Sequence, residues 1–336
     1  MNLELRTAVE KAGGSEVWVK SAAARSPWSV ITARDTTAEV LATPASFNRV
    51  LIALKDRASK EGLEVNIQPG RLRNGGRALE IRLTRQRQFV GRWRIRQVAQ
   101  LWRAAIIIDD LGQDLEGARK LLELPHPLTF SVLPGLPHSA RTAEEAHRKG
   151  REVMLHLPME PQPGAPALPG PGEIKIGMTS EQVARIIQAD LESVPYARGV
   201  NNHMGSRATA DPALMAAVMR VLAERRLFFV DSRTTAETTA LGVARRMGVP
   251  AFYRSVFLDD TETVSYSLGQ LRRFRRVIEE QGAALAIGHP YPTTIAALGE
   301  FLPELESADI QLVPASELVH LPEVARLSPP AARGTP

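Results

Sequence analysis

The 336-residue chain contains no cysteine, which excludes disulfides, thiolate metal sites and cysteine nucleophiles. Any metal site must therefore be built from Asp, His and Glu. No apolar stretch approaches the roughly 18 residues that cross a bilayer. Residues 1–14 lack the apolar segment of a signal peptide because charged side chains interrupt them. As written, the chain is expected to be soluble, unexported and cytoplasmic.

Charge is unevenly distributed along the chain. The first 100 residues carry 18 Lys and Arg against 9 Asp and Glu, whereas the remainder carries 24 against 28. A basic N-terminal part could face an anionic surface such as cell wall, membrane or nucleic acid. The composition alone favours the alternative, a small arginine-rich domain with no such partner.

Residues 1–97 indicate a small basic α+β module without a catalytic constellation. A hairpin turn is predicted at Asn74-Gly75-Gly76, and the tail at 327–336 is predicted to be disordered. The module's predicted elements are strands at 16–20, 28–33, 64–68, 78–83 and 89–95 and an amphipathic helix at 46–60.

Residues 103–322 alternate predicted strands and helices, which favours a parallel (β/α) barrel or an open doubly wound sheet. Polar motifs end at least five of the strands. An open sheet would concentrate them at one switch point, so a distorted barrel is the preferred fold. The predicted strands are 104–109, 128–133, 152–157, 199–203, 227–231, 251–254, 283–288 and 310–313. The predicted helices are 115–124, 139–149, 179–194, one starting at Asp211-Pro212, 235–247, 265–281 and 293–305.

The connection at 161–172, PQPGAPALPGPG, is too rich in proline for a helix or strand. It leaves a strand end that carries a polar motif, so we expect it to rim the site. A surface excursion without a role is the alternative.

Five short polar motifs stand where apolar runs end. Parallel strands buried on both faces are continuous apolar runs, and barrel chemistry lies where such strands end. The ordered set therefore predicts one convergent site that holds a metal ion. The motifs are Ile107-Ile108-Asp109-Asp110, His156-Leu157-Pro158-Met159-Glu160, Asn201-Asn202-His203-Met204, Val230-Asp231-Ser232 and Ile287-Gly288-His289-Pro290.

Two of these motifs supply acids beside a potential metal ion. Asp109 and Asp110 repel one another, and a divalent cation relieves that repulsion; a helix N-cap is the alternative interpretation. His156 and Glu160 are both suitable ligands for Zn²⁺. His203 is a candidate third ligand.

The polar residues of the other motifs indicate a function less specifically, because each also has an ordinary structural explanation. The amides of Asn201 and Asn202 could bond substrate hydroxyls or a water, or satisfy an Asn-rich turn. Asp231 could orient a catalytic His or pair with Arg233. His289 is a natural general acid, with a packed structural His as the alternative. His126, His138, His147 and His320 are expected to be inert.

In that order, the segments IIIDDLG, HLPMEP, the GPG loop, NNHMGS, FFVDSRT and IGHPYP resemble the divergent polysaccharide deacetylases, relatives of the NodB-type carbohydrate esterases. The resemblance covers about residues 103–320. It implies a NodB-like distorted (β/α) barrel, with Asp109 as the base and Asp110 and His156 as metal ligands. Glu160 stands where the family's second His is usual, and His203 replaces that ligand.

The resemblance implies metal-assisted hydrolysis of an N- or O-acetyl group on a polysaccharide or cell-envelope glycan. The ion would be Zn²⁺, with Co²⁺, Ni²⁺ and Mn²⁺ as alternatives, and His289 would protonate the leaving group. Asp231 is assigned with the catalytic residues, and the predicted substrate contacts are Asn201, Asn202, Ser232 and Arg233. A glycan is the expected partner, and no nucleic acid is expected.

The implied substrate points to the periplasm or cell envelope. The altered second and third motifs favour an alternative, a catalytically inactive barrel that binds a glycan or envelope partner. A metal phosphoesterase on a similar barrel is a third reading, and it predicts more Lys or Arg at the strand ends than the sequence has.

Overall fold

The computed structural model contains two compact units, one formed by Met1–Trp102 with Glu306–Gln311 and the other by Arg103–Leu305 with Leu312–Pro336. The predicted strand at 28–33, the turn at 74–76, His320 and the tail at 327–336 lie outside the residues that the structure describes. Those described residues are 15–21, 36–42, 44–70, 78–97, 102–165, 167–308 and 310–319.

The first unit is a five-stranded sheet with one helix. The strand order is β1-β2-β5-β4-β3, in which β2 and β5 are parallel and the other pairs antiparallel. Buried Phe47, Val50 and Leu54 of the helix belong to the same apolar core as Ile81 and Trp93 of the sheet. The elements are β1 (Ser15–Ser21), β2 (Thr36–Ala42), α1 (Pro44–Lys60), β3 (Glu64–Gly70), β4 (Ala78–Arg85) and β5 (Gln88–Gln97).

The strand β2 is absent from the sequence prediction. Its segment contains Ala and Glu, which have low strand propensity, so pairing with β1 and β5 decides its conformation.

From Trp102 onward the chain alternates strands and helices. The strands of this part are β6 (Trp102–Leu111), β7 (Thr129–Val132), β8 (Glu152–Met159), β9 (Ala197–Met204), β10 (Phe228–Asp231), β11 (Ala251–Tyr253), β12 (Val256–Phe257), β13 (Ala283–Gly288) and β14 (Ile310–Leu312). Its helices are α2 (Glu116–Leu122), α3 (Ser139–Arg148), α4 (Ser180–Ser193), α5 (Pro212–Glu224), α6 (Ala240–Arg246), α7 (Val264–Gln281), α8 (Pro292–Ser307) and α9 (Ala315–Val319).

The parallel strands form a curled sheet in the order β11-β10-β9-β8-β7-β6-β13-β12. Its two edge strands are neighbours in the chain. The Arg254 N–H bonds the Asp231 carbonyl at 2.9 Å, and the Ser255 N–H bonds the Leu285 carbonyl at 2.7 Å. The predicted α/β distorted barrel is therefore confirmed; the predicted strand at 251–254 is β11, and the second edge strand, β12, is absent from the prediction.

Alternate strand residues face the inside of this curl. Ala105 and Ile107 of β6, Phe228 and Val230 of β10, and Leu285 and Ile287 of β13 share one apolar cluster with Leu318 and Val319 of α9. Because side chains alternate along a strand, the next inward positions at the strand ends are Asp109, Ser232 and His289. The alternation thus places polar side chains above the apolar core.

The helix starts follow local capping chemistry. Thr179 and Gln182 form the predicted capping box, and the Asp211 carboxylate accepts N–H bonds from Ala213 and Leu214. The predicted helix at 235–247 begins only at Ala240, because the preceding residues form a turn. No helix in the described part of the chain is long and apolar enough to cross a bilayer.

Candidate active site

A pocket of about 380 Å³ opens where the carboxyl ends of the parallel strands meet. Side chains from β6, β8, β9 and β12 and from the segments after β10, β11, β12 and β13 line it. The ones used below are Asp109, Asp110, His156, His203, Arg254 and His289. All five predicted motifs thus contribute residues to one site, and the Val230-Asp231-Ser232 motif contributes Ser232 and not Asp231.

Both carboxylates of the Asp109-Asp110 pair reach this pocket, although adjacent strand residues normally face opposite sides. The pairing of β6 with β7 shifts register between Ile108 and Leu111, and Asp110 has a left-handed φ of 56°. Asp tolerates that conformation better than most residues. The local bulge therefore turns Asp110 toward the same site as Asp109.

Asn201, fully buried on β9, connects the acid and the imidazole of the site. Its amide nitrogen donates to the Asp109 oxygens at 2.9 and 3.1 Å. Its amide oxygen accepts from the Ser131 hydroxyl at 2.6 Å and faces His156 Nδ1 at 3.0 Å. His156 Nδ1 must therefore carry the proton, which leaves the Nε2 lone pair directed into the site.

Three potential ligand atoms converge in this pocket. Asp110 Oδ1 lies 3.1 Å from His156 Nε2 and 3.0 Å from His203 Nδ1, and those nitrogens are 3.2 Å apart. Asp110 Oδ1 is nevertheless buried without a hydrogen-bond donor. Atoms held at 2.0–2.2 Å from one ion are separated by about 3 to 3.5 Å. The three residues therefore fit a divalent cation, and the two imidazoles and one carboxylate suit Zn²⁺.

The two carboxylates have opposite pKa shifts. Burial raises the pKa of Asp109 above its usual value, despite the opposing effects of His156 and His289. Burial also opposes ionisation of Asp110, but His156 and His203 outweigh it and hold the pKa of that carboxyl well below its ordinary range. Asp109 is thus the better proton acceptor, and Asp110 stays an anion.

Asp259 orients His289 on the other side of the pocket. The buried carboxylate accepts from the His289 backbone N–H at 2.6 Å, from the Thr294 hydroxyl at 2.7 Å and from His289 Nδ1 at 3.0 Å. His289 Nε2 then faces the site, 3.7 Å from Asp110 Oδ2. Burial lowers the pKa of His289, but Asp259, Asp110 and Asp109 outweigh it and raise the pKa to about 9.

The profile of the divergent polysaccharide deacetylases matches residues 106–319, which carry this entire site. The chain belongs to this family. The uncharacterized protein YibQ of Escherichia coli is 38% identical over 226 residues, which cover 67% of this chain and 70% of YibQ.

Two further proteins are similar to this family member. An uncharacterized protein of Haemophilus influenzae is 37% identical over 209 residues, covering 62% of this chain and 74% of that protein. The crystal structure of an uncharacterized protein from Agrobacterium tumefaciens is 26% identical with a TM-score of 0.62, covering 66% of this chain and 90% of the other.

Asp231 of this deacetylase-family chain lies away from the pocket lining. Its carboxylate accepts from the Arg233 N–H at 2.8 Å and the Thr238 hydroxyl at 2.9 Å. Asp231 follows Val230, which faces inward, so strand alternation turns it outward and presents Ser232 instead. The structure thus places Asp231 as the support of the loop after β10.

Glu160 is likewise engaged outside the ligand cluster. It pairs with Arg207 and accepts the Ile176 N–H at 2.8 Å. Asn202 lines the pocket, and its amide bonds the Ser232 N–H and the Met204 carbonyl.

Some predicted features lie at the periphery. None of the described residues of 161–172 lines the pocket. Gly172 of that connection packs against the buried carboxylate of Asp190. His126 and His138 lie outside the pocket, and His147 stacks on Tyr196.

Sequence reasoning missed Asp259 and Arg254 as site residues. Asp259 follows the short apolar run Val256-Phe257-Leu258, the same signal that singled out Asp109. Arg254 follows Phe252 by two residues, and Phe252 faces inward, so strand alternation indicates that Arg254 also faces inward.

Proposed function

We propose that this protein is a metal-dependent deacetylase that hydrolyses N- or O-linked acetyl groups on a polysaccharide of the cell envelope. The observation that carries the proposal is the convergence of Asp110, His156 and His203 between two further groups, Asp109 and His289. This arrangement combines a cation site with a proton acceptor and a proton donor.

Asp110 Oδ1, His156 Nε2 and His203 Nδ1 would hold the cation, for which Zn²⁺ is the first choice. When bound, the ion supplies Lewis acidity, which polarises an acetyl carbonyl and lowers the pKa of a water molecule. Asn201 keeps the Nε2 lone pair of His156 available through the bond at Nδ1.

Asp109 would accept a proton from the attacking water. Its raised pKa suits this role, and the two bonds from Asn201 hold its carboxylate in place. His289, protonated at neutral pH, would donate from Nε2 to the leaving amine or alkoxide. Asp259 holds Nδ1 and thereby keeps Nε2 as the donor.

The test combines metal analysis with acetate release. The purified protein is loaded with Zn²⁺, its metal content is measured by elemental analysis, and acetate release from N-acetylated chitotetraose and from O-acetylated xylan is followed. We expect near-stoichiometric metal that is lost in Asp110→Ala and His156→Ala. Asp109→Asn and His289→Gln should retain the metal and lose turnover by at least about 10²-fold.

A second candidate function is glycan binding without catalysis. It is favoured by Glu160, which stands at the usual position of a second His and is paired with Arg207. Metal-loaded protein that binds these glycans but releases no acetate would support it. Release that depends on Asp109 and His289 would exclude it.

A further inference from the structure

Two arginines line the same pocket as Asp110, His156 and His203, which are called the Asp and His cluster below. They are Arg233, in the loop after β10, and Arg254, between β11 and β12. Within the part of the chain that the structure describes, neither guanidinium lies within 4 Å of a carboxylate oxygen, unlike Arg207, which pairs with Glu160. Asp260 also lines the pocket, but it lies beyond that distance from both arginines.

Arg254 is fixed in position by contacts that include no carboxylate. Its Nε donates to the Ser232 carbonyl at 2.6 Å and its Nη2 to the Arg233 carbonyl at 2.9 Å. Its guanidinium lies over the Phe257 ring, 5.0 Å from the centroid. These contacts leave the two N–H groups of Nη1 without an acceptor among the described residues, so they remain available to a ligand.

Arg233 is held by the same loop. Its φ of 49° is rare for a residue other than glycine. The bond from its N–H to Asp231 and the bond from Arg254 to its carbonyl maintain that conformation. Its side chain is exposed, and the guanidinium lies 5.2 Å from the ring centroid of Tyr253.

The electrostatics of the pair favour a bound anion. Burial lowers the pKa of Arg254, and repulsion from Arg233 adds to that effect, whereas Asp260, Asp231 and Asp109 oppose it from a distance. None of these carboxylates pairs directly with either arginine, so the two guanidiniums are stabilised when an anion accepts their N–H groups, and the planar fork matches a carboxylate or a phosphate.

We propose that Arg233 and Arg254 form an anion-binding subsite at the pocket, and that the glycan recognised here carries a carboxylate or phosphate close to the acetylated sugar. The proposal rests on the proposed function for the position of that sugar. It adds that the glycan is acidic, whereas the Asp and His cluster alone is compatible with a neutral one. Asp231 then acts as a positioning residue for Arg233.

The test measures binding to the full chain by isothermal titration calorimetry, independently of turnover. The probes are three tetrasaccharides: neutral N-acetylated chitotetraose, a hyaluronan tetrasaccharide bearing uronate carboxylates, and chitotetraose phosphorylated at one 6-position. We expect at least one acidic probe to bind about tenfold or more tightly than the neutral probe at low salt, with the preference shrinking as salt is added.

Arg233→Gln should reduce that preference to about twofold or less. Arg272→Gln is the matched control, because Arg272 is an exposed arginine of α7 outside the pocket lining. Arg254→Lys keeps the charge but removes the fork, so it should weaken the preference by less than Arg233→Gln. A circular dichroism spectrum establishes that each variant is folded.

The outcomes are distinct. Preference for the uronate or for the phosphorylated probe supports the subsite and identifies its anion. Equal affinity for all three probes, or a preference that survives in Arg233→Gln, overturns it. If acidic preference holds but no acetylated glycan releases acetate, the deacetylase proposal fails and the subsite stands. If acetate is released but the three probes bind equally, the deacetylase proposal stands and the subsite fails.

Discussion

The carboxylate of Asp259 accepts hydrogen bonds from both the backbone N–H and the ring Nδ1–H of His289, at 2.6 and 3.0 Å. One residue therefore determines the position of the proposed general acid and directs its Nε2–H into the site. The pairing joins the segment after β12 to the end of β13, 30 residues further along the chain.

Replacement of Asp259 should impair His289 without loss of metal from the proposed cation site. We expect Asp259→Asn to lower kcat by about 10²-fold or more, because the ring loses its anionic partner. The pKa of His289, raised to about 9 in the native protein, should fall in NMR titrations. Thr294→Val is the control, since it removes only one neutral donor from Asp259. An unchanged His289 pKa would show that Asp259 has no such role.

Asn201 should prove essential for both stability and metal affinity. Asn201→Ala leaves the buried Asp109 carboxylate, the Ser131 hydroxyl and His156 Nδ1 without a partner. We expect a loss of about 2–4 kcal/mol in the free energy of unfolding, measured in urea. Zn²⁺ affinity, measured against a chelator, should fall about 10- to 100-fold. Ser131→Ala removes one donor only and should show a smaller effect on both quantities.

Glu160 should be dispensable for metal binding. Because its carboxylate is occupied by Arg207 and the Ile176 N–H, Glu160→Gln should retain full metal content while His203→Ala loses it. Stability should fall by no more than about 1 kcal/mol, as is usual for a partly exposed ion pair. Metal loss in Glu160→Gln would instead make Glu160 a ligand.

Asp190 should make the protein less stable at higher pH. Burial raises its pKa to about 7, compared with about 3.9 in the unfolded chain. Between these values the folded state holds a proton that the unfolded state has released, so this residue's contribution to stability falls as pH rises from about 4 to 7. Above pH 7 the loss is complete.

Asp190→Asn should remove this pH dependence. Because Asn is neutral at every pH, we expect a gain on the order of 2 kcal/mol at pH 8 and almost none at pH 4, measured by urea unfolding. Equal effects at both pH values would contradict the raised pKa.

Gly199 tests the packing of the curled sheet. A Cβ at this position of β9 would collide with the ring of Phe228, which is buried in the neighbouring strand. Gly199→Ala should cost about 1–3 kcal/mol of unfolding free energy. Gly269→Ala is the matched control: that exposed glycine of α7 has open space around its Cβ position, so the substitution should stabilise the helix slightly. Equal effects of both substitutions on urea unfolding would contradict the packing argument.

The sequence alone determined the class of fold and the location of the site. Continuous apolar runs that alternate with amphipathic helices specify parallel strands, and parallel strands bring their carboxyl ends to one side. Asp109, His156, His203 and His289 could therefore be predicted to meet, because each stands where such a strand ends.

Only the tertiary structure decided which side chains work together. Asp110 was predicted to lie in the site, but the bulge and the left-handed backbone that bring its side chain there were not. Asp231 and Ser232 are adjacent at the end of β10, and their side chains face opposite sides of the sheet. Only Ser232 faces the interior of the curled sheet and lines the pocket. Arg254 follows β11 and Asp259 follows β12, the two short strands at opposite edges of the sheet. The contacts of Asp259 with His289 and of Arg254 with Ser232 could be identified only from the curled sheet. Side-chain contacts between distant segments depend on strand register and not on sequence spacing.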